Sequence, residues 1–246
     1  MTEGYQIFPV YGRYGYDLCI EKGDLKICFS RDGDVVRYSR TLGDSTMERI
    51  IASDGGRVII NPVEPLNLPD EVTRFLEIRF ESIIIEPGAT RRIYLTFPIE
   101  IGVFISKKAA FRCIDIFSRA QPKYSLYGPT DTGVITRYHW SPLSLALPAP
   151  DPCCEGVVEL DIVNTTKGWV EVSRVVLENY GMKIYYDGNL VSIKAQMRVI
   201  KSTIAETCCI RSPIREGMRK SIELYYTRTI GLSESALTFT MDAGVH

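Results

Sequence analysis

Residues 75–106 read FLEIRFESIIIEPGATRRIYLTFPIEIGVFIS, two long alternating stretches separated by Glu86-Pro87-Gly88-Ala89. In the first stretch Leu76, Ile78, Phe80 and Ile84 fall on one face while Glu77, Arg79 and Glu81 fall on the other, the period-two pattern of a half-buried strand. Ile93, Leu95 and Phe97 continue the pattern in the second. Pro87 presets the backbone for the second position of a turn, and Gly88 tolerates the positive φ that a type II turn needs at the third. Strand, tight turn, strand is the local unit of an antiparallel sheet, so this segment is the expected spine of a first β-sandwich domain.

Working outward, strand signals recur throughout the 246 residues. Tyr16 to Arg40 reads as a meander with turns at Lys22-Gly23-Asp24 and Asp32-Gly33. A two-residue Asp32-Gly33 turn sets Phe29 opposite Val36 and Ile27 opposite Tyr38. Ser45 and Glu48 make a capping box before MERIIA, although a strand fits there equally well. Ser212-Pro213 opening IREGMRK is the best remaining helix candidate. Ser141 to Gly156 holds four prolines and no periodicity, which marks a linker or a long bridging loop. Beyond it about seven short strands follow, SIELYYTRT and ALTFTM the last of them, with Asp187-Gly188-Asn189 as a hairpin turn; that density suits an immunoglobulin-like sandwich. The predicted class is all-β with little helix: two tandem antiparallel β-sandwich domains, residues 1–145 and 146–246, the second immunoglobulin-like.

Charge and composition bound the function. The formal net charge of -1 supplies no electrostatic footprint for nucleic acid. The longest charge-free apolar stretch, Trp140 to Pro150, is eleven residues with three prolines and cannot span a bilayer. With no signal-peptide pattern at the start, a cytoplasmic protein is expected. Arginine outnumbers lysine 19 to 10 and Asn plus Gln total eight, a skew that fits a thermophile. No nucleotide, metal or catalytic motif stands out, so neither an enzyme nor a cofactor is implied.

TFPIEIGVF (96–104), KYSLYG (123–128), GVITRYHWS (133–141) and IVNTTKGWVEVSRVV (162–176), in that order, resemble an archaeal family known as domain of unknown function 432. The resemblance spans about Tyr11 to Arg228. It implies a β-rich archaeal protein and carries no activity with it.

Candidate sites rest on residue chemistry alone. Tyr127, Asp131, Arg137, Tyr138, His139 and Trp140 form the most polar and aromatic stretch. A functional reading makes His139 a base oriented by Asp131, with Arg137 gripping an anion; the plain reading is a strand whose aromatics pack. Vicinal Cys153-Cys154 and Cys208-Cys209 point to opposite faces when extended, which suits zinc poorly. A disulfide joining one member of each pair is the more economical expectation. Cys19 and Cys28 stand directly opposite across a four-residue turn or diagonally across a two-residue one, with buried thiols the default. Glu64, Asp70 and Glu71 lie in a proline-rich loop where solvation explains them, and Asn164-Thr165-Thr166 reads as a turn before Trp169. The leading expectation is a non-enzymatic interaction module that binds a protein partner or self-associates through a face or edge strand. The alternative is a carbohydrate-binding or carbohydrate-modifying protein that stacks sugars on Tyr127, Tyr138 and Trp140.

Overall fold

Alternating apolar residues carry most of the chain into strands. The structure, a computed structural model, describes residues 10–66, 71–108, 110–224 and 239–242. The strands are β1 (Gly12–Tyr14), β2 (Leu18–Lys22), β3 (Leu25–Asp32), β4 (Val35–Leu42), β5 (Ser45–Ala52), β6 (Arg57–Val63), β7 (Phe75–Ile85), β8 (Thr90–Pro98), β9 (Glu100–Lys107) and β10 (Ala110–Phe117). They continue as β11 (Lys123–Tyr127), β12 (Val134–Trp140), β13 (Glu155–Asn164), β14 (Val170–Glu178), β15 (Tyr185–Tyr186), β16 (Val191–Lys201), β17 (Ile204–Ile210), β18 (Arg219–Lys220) and β19 (Phe239–Asp242). MERIIA is strand β5, and residues 211–218 form turns, not the expected helix. SIELYYTRT and ALTFTM lie partly outside the described residues.

The strands make four sheets, ordered β1-β6-β9-β10, β2-β3-β4-β5, β11-β12-β7-β14 and β18-β15-β16-β13-β8, with β17 and β19 added beyond β16. Pairing is mostly antiparallel; β12 with β7 and β13 with β16 run parallel. Two compact units result, Met1–Asn61 with Ile101–Arg119 and Pro62–Glu100 with Ala120–His246. The boundary expected after residue 145 thus falls inside the second unit. The reason is pairing: β7 takes β12 and β14 as neighbours and β8 takes β13, all later in the chain.

The opening strand-turn-strand is therefore a corner and not a hairpin. Glu86 to Ala89 turns the chain from one sheet into another, with Gly88 at φ 72° and the Ala89 N–H reaching Glu86 O at 3.3 Å. Asn164 pins this corner; fully buried, it directs Nδ2 to the carbonyls of Ile85, Glu86 and Gly168. Leu76, Ile78, Phe80, Ile93, Leu95 and Phe97 are buried as their alternation predicts. Ile84 is not. A register irregularity opposite Ser173 moves burial to odd-numbered positions of β7, leaving Ile84 64% exposed and Ile85 covered.

In the first unit the meander keeps its faces but shifts its turns. Asp32 pairs Val35, so Gly33 and Asp34 form the turn and Phe29 faces Tyr38, two residues from the expected register. A two-residue slip preserves which side chains point inward. Tyr38 and Arg40 share the buried Asp115, each at 2.6 Å, while Arg40 stacks on Phe117 at 4.7 Å. Burial and the Asp115 charge push the Tyr38 hydroxyl pKa far up. A buried ion pair with a neutral tyrosine hydroxyl is tolerable inside only because each member is bonded.

The turn is the two residues Gly23-Asp24, yet Cys19 stands directly opposite Cys28 and not diagonal to it as expected for that length; both lie on the outward face, and a disulfide joins them in place of the expected buried thiols. Cys153, Cys154, Cys208 and Cys209 are all thiols. Cys208 and Cys209 sit level with Asp161 and Leu160 of β13 through Gln196 and Ala195. Cys154 immediately precedes β13, so the pairs stand about 20 Å apart along the strand at about 3.3 Å per residue. A disulfide needs Cα atoms within about 7 Å. Alkylation of the denatured, unreduced protein is expected to label five of its seven cysteines, and all seven after reduction, read by intact mass. Seven labels without reduction would remove the bridge.

Candidate functional site

Strand alternation divides the residues singled out in the sequence between two faces of β12. Arg137 and His139 point to one face, Tyr138 and Trp140 to the other. Arg137 is 1% exposed and its Nη1 donates to Glu100 Oε1 at 2.9 Å. His139 Nε2 meets Thr96 Oγ1 at 2.9 Å and lies 3.9 Å from Glu155. Asp131 is exposed in the turn between β11 and β12, five strand residues beyond reach of His139, or about 17 Å at strand spacing. It cannot orient the imidazole, and the base-and-orienter pairing is not assembled.

Burial first, then the Arg137 and Lys123 charges, lower the His139 pKa to about 4. The ring is therefore neutral near pH 7. Because the unfolded ring titrates near 6.5, its contribution to stability is complete above that value and is lost as pH falls towards 4. A nitrogen-detected NMR titration is expected to show an imidazole midpoint near 4. A midpoint above 6 would contradict the enclosed geometry.

The opposite face carries a polar knot around Glu77, which is fully buried. Its carboxylate accepts from Arg79 Nε at 2.8 Å, Ser125 Oγ at 2.7 Å and Thr136 Oγ1 at 3.1 Å, with Arg174 Nη1 at 3.9 Å. Arg174 covers the Tyr127 ring at 5.4 Å, and Arg79 lies 5.8 Å from the Tyr138 ring. Tyr127 is buried, and of the three aromatics only Trp140 is widely exposed, at 53%. With both carboxylate oxygens bonded, the arrangement stabilises the sheet and offers no open acid or nucleophile.

A different place has the shape of a binding site. In the first unit β5 ends the sheet β2-β3-β4-β5 and β10 ends the sheet β1-β6-β9-β10. Adjoining pockets that share lining residues run along the two edges and past them, and are described together as a groove. Its upper part, about 460 Å³, lies between Arg49–Ala52 of β5 and Arg112–Ile114 of β10. It continues past Tyr16, Ile51 and Phe111 to a recess of about 550 Å³ lined by Arg13, Gly56, Arg57, Lys107 and Lys108. Gly56, at φ 154°, is required there: a Cβ would stand 2.6 Å from the Tyr16 hydroxyl and 2.7 Å from Ser106 O. Lys108 adopts φ 56° in the turn after β9, a left-handed conformation that costs a side-chain-bearing residue about 1 kcal/mol.

The groove lining holds six cationic side chains and no carboxylate. Lys107 is held by Asp54 beside it. Arg13, Arg49, Arg57, Lys108 and Arg112 bind no carboxylate among the described residues. Sequence reading missed this site because its cations come from five separate segments, none of them a basic run. In the structure β5 is exposed along most of its length, Ile50 at 72%, with Ile51 its one buried residue.

A family model described as a protein of unknown function, DUF432, matches residues 10–242. The chain belongs to the DUF432 family. That match takes in both units and every strand described above. Among curated proteins and solved structures nothing matches the chain. Among the described residues of this DUF432 chain, no helix is long and apolar enough to cross a membrane.

Proposed function

We propose that the protein is a non-enzymatic interaction module that takes up an extended segment of a protein partner along the groove between β5 and β10. The observation that carries this reading is that the adjoining pockets of the groove run along two strand edges. An unpaired edge presents alternating backbone donors and acceptors, which an added strand satisfies while its side chains enter flanking pockets. β5 runs towards the Gly55-Gly56 loop and β10 runs away from it, so a strand laid between them pairs parallel with one and antiparallel with the other. Each edge is eight residues long, which sets the length of the guest. A sugar platform on Tyr127, Tyr138 and Trp140 has less support, because Tyr127 is buried and Tyr138 lies beneath Arg79.

The test is selection from a displayed library of random twelve-residue peptides, followed by amide hydrogen exchange on the full chain with the best binder. Protection is expected at residues 45–52 and 110–117. Protection confined to other strands, or no enrichment at all, would overturn the reading. If light scattering shows a dimer whose formation protects the same amides, the guest is a second copy of this chain.

A further inference from the structure

We infer that the guest segment is acidic, with its carboxylates clustered at the end that meets the Gly55-Gly56 loop; this rests on the strand-edge reading above. The lining is the reason. Arg49 and Arg112 stand across the upper groove, and Arg13, Arg57 and Lys108 surround its lower recess, all exposed and all without a bound carboxylate among the described residues. The chain as a whole carries a formal charge of -1, so this concentration of unmatched positive charge is local. Like charges gathered along one groove repel one another, and an anionic guest relieves that repulsion while it binds.

Two further features place the anionic end. Gly56 lacks the Cβ that would collide with Tyr16 and Ser106, which lets the loop lie close against the recess floor. Lys108 occupies a left-handed turn position that glycine or asparagine would fill at lower cost, and the turn projects it at the start of β10. A peptide suits the site better than a nucleic-acid strand. The edges offer amide donors and acceptors in alternation, whereas single-stranded nucleic acid needs exposed aromatic faces for its bases. Here Phe111 is the one exposed ring in the lining, since Tyr16 is buried.

Fluorescence anisotropy on the full chain tests the inference with three probes: a labelled dodecapeptide alternating valine with glutamate, the same peptide with glutamine for each glutamate, and a dodecamer of deoxythymidine. The acidic peptide is expected to bind about tenfold more tightly than its glutamine isostere at low salt, and the gap should narrow in 0.5 M salt, where screening shortens to about 4 Å. The double variant Arg57→Glu/Lys108→Glu should lose that tenfold for the acidic peptide and bind the glutamine peptide as the wild type does. Both side chains are exposed, and an unchanged thermal melt verifies folding. Equal binding of the two peptides would leave the edge groove standing and sink the acidic guest. Failure of both peptides to bind or to protect β5 and β10 would sink the two readings together. Tighter binding of the thymidine strand through the same cations would overturn the choice of a peptide.

Discussion

Arg137→Met is expected to lower the stability of the protein by about 3–5 kcal/mol, the cost of leaving one member of a buried ion pair without its counter-charge. Arg137 and Glu100 have side chains 2% exposed and meet at 2.9 Å. Neither charge reaches enough water to be hydrated if the other is removed. Glu100→Gln should cost less, because the amide oxygen still accepts from the guanidinium. The informative variant is the double replacement Arg137→Met/Glu100→Leu, which removes both charges and fills the space with apolar atoms. It should recover most of the loss, since burying a charge pair in place of apolar side chains is often near neutral. Urea unfolding of the wild type, Arg137→Met, Glu100→Leu and the double variant closes the cycle and gives the coupling directly. Additive single effects would mean that the two groups do not act as a pair.

Glu64→Gln is expected to stabilise the protein by up to about 3 kcal/mol at pH 9 and to change little at pH 4. Glu64 is 2% exposed, and burial raises its carboxyl pKa from 4.5 to about 7. The nearby Glu223 charge pushes the same way, while Lys183 and the Leu224 N–H, 3.2 Å from Oε2, oppose it. The folded state therefore holds a proton that the unfolded state has released between those two values. Stability associated with the group is complete below 4.5 and is lost as pH rises through 7. Glutamine keeps the acceptor for Leu224 and has nothing to ionise. Thermal melts from pH 4 to 9 should show a decline in the wild type that is shallower in the variant; parallel profiles would refute the assignment. The proline-rich sequence around Glu64 suggested a solvated loop, and only the buried setting of Leu66 and Leu224 beside it shows otherwise.

Much of the class was legible in the residues, because alternation reports which side of a strand is covered. Ile93, Leu95 and Phe97 show this on β8, and Gly33 and Gly88 mark their turns through positive φ. Alternation does not report partners. Phe75 to Pro98 therefore read as a hairpin, although the two strands hydrogen-bond in different sheets, and only strands beyond residue 133 reveal it. The Ser173 irregularity was invisible for the same reason, since it exists in the pairing and not in either strand alone. The aromatic and histidine cluster misled because neighbours in a strand face opposite ways, which sent Arg137 to Glu100 and Tyr138 to Arg79. The cationic groove needed Arg13, Arg49, Arg57, Lys108 and Arg112 to be brought together by folding.

The division of the chain sets an order of events at the ribosome. Met1–Asn61 cannot complete its unit until Ile101–Arg119 has been made, and by then Pro62–Glu100 has already emerged as part of the other unit. The β2-β3-β4-β5 meander, whose contacts are local, is free to form early, whereas β7 and β8 wait for β12, β13 and β14 to be synthesised. Until Trp140 is made β7 lacks its neighbour β12, and until Asn164 is made β8 lacks β13, which makes nascent chains ending between residues 100 and 155 the aggregation-prone lengths. A gene cut at residue 145 would leave β8 permanently without β13 and β7 without β14.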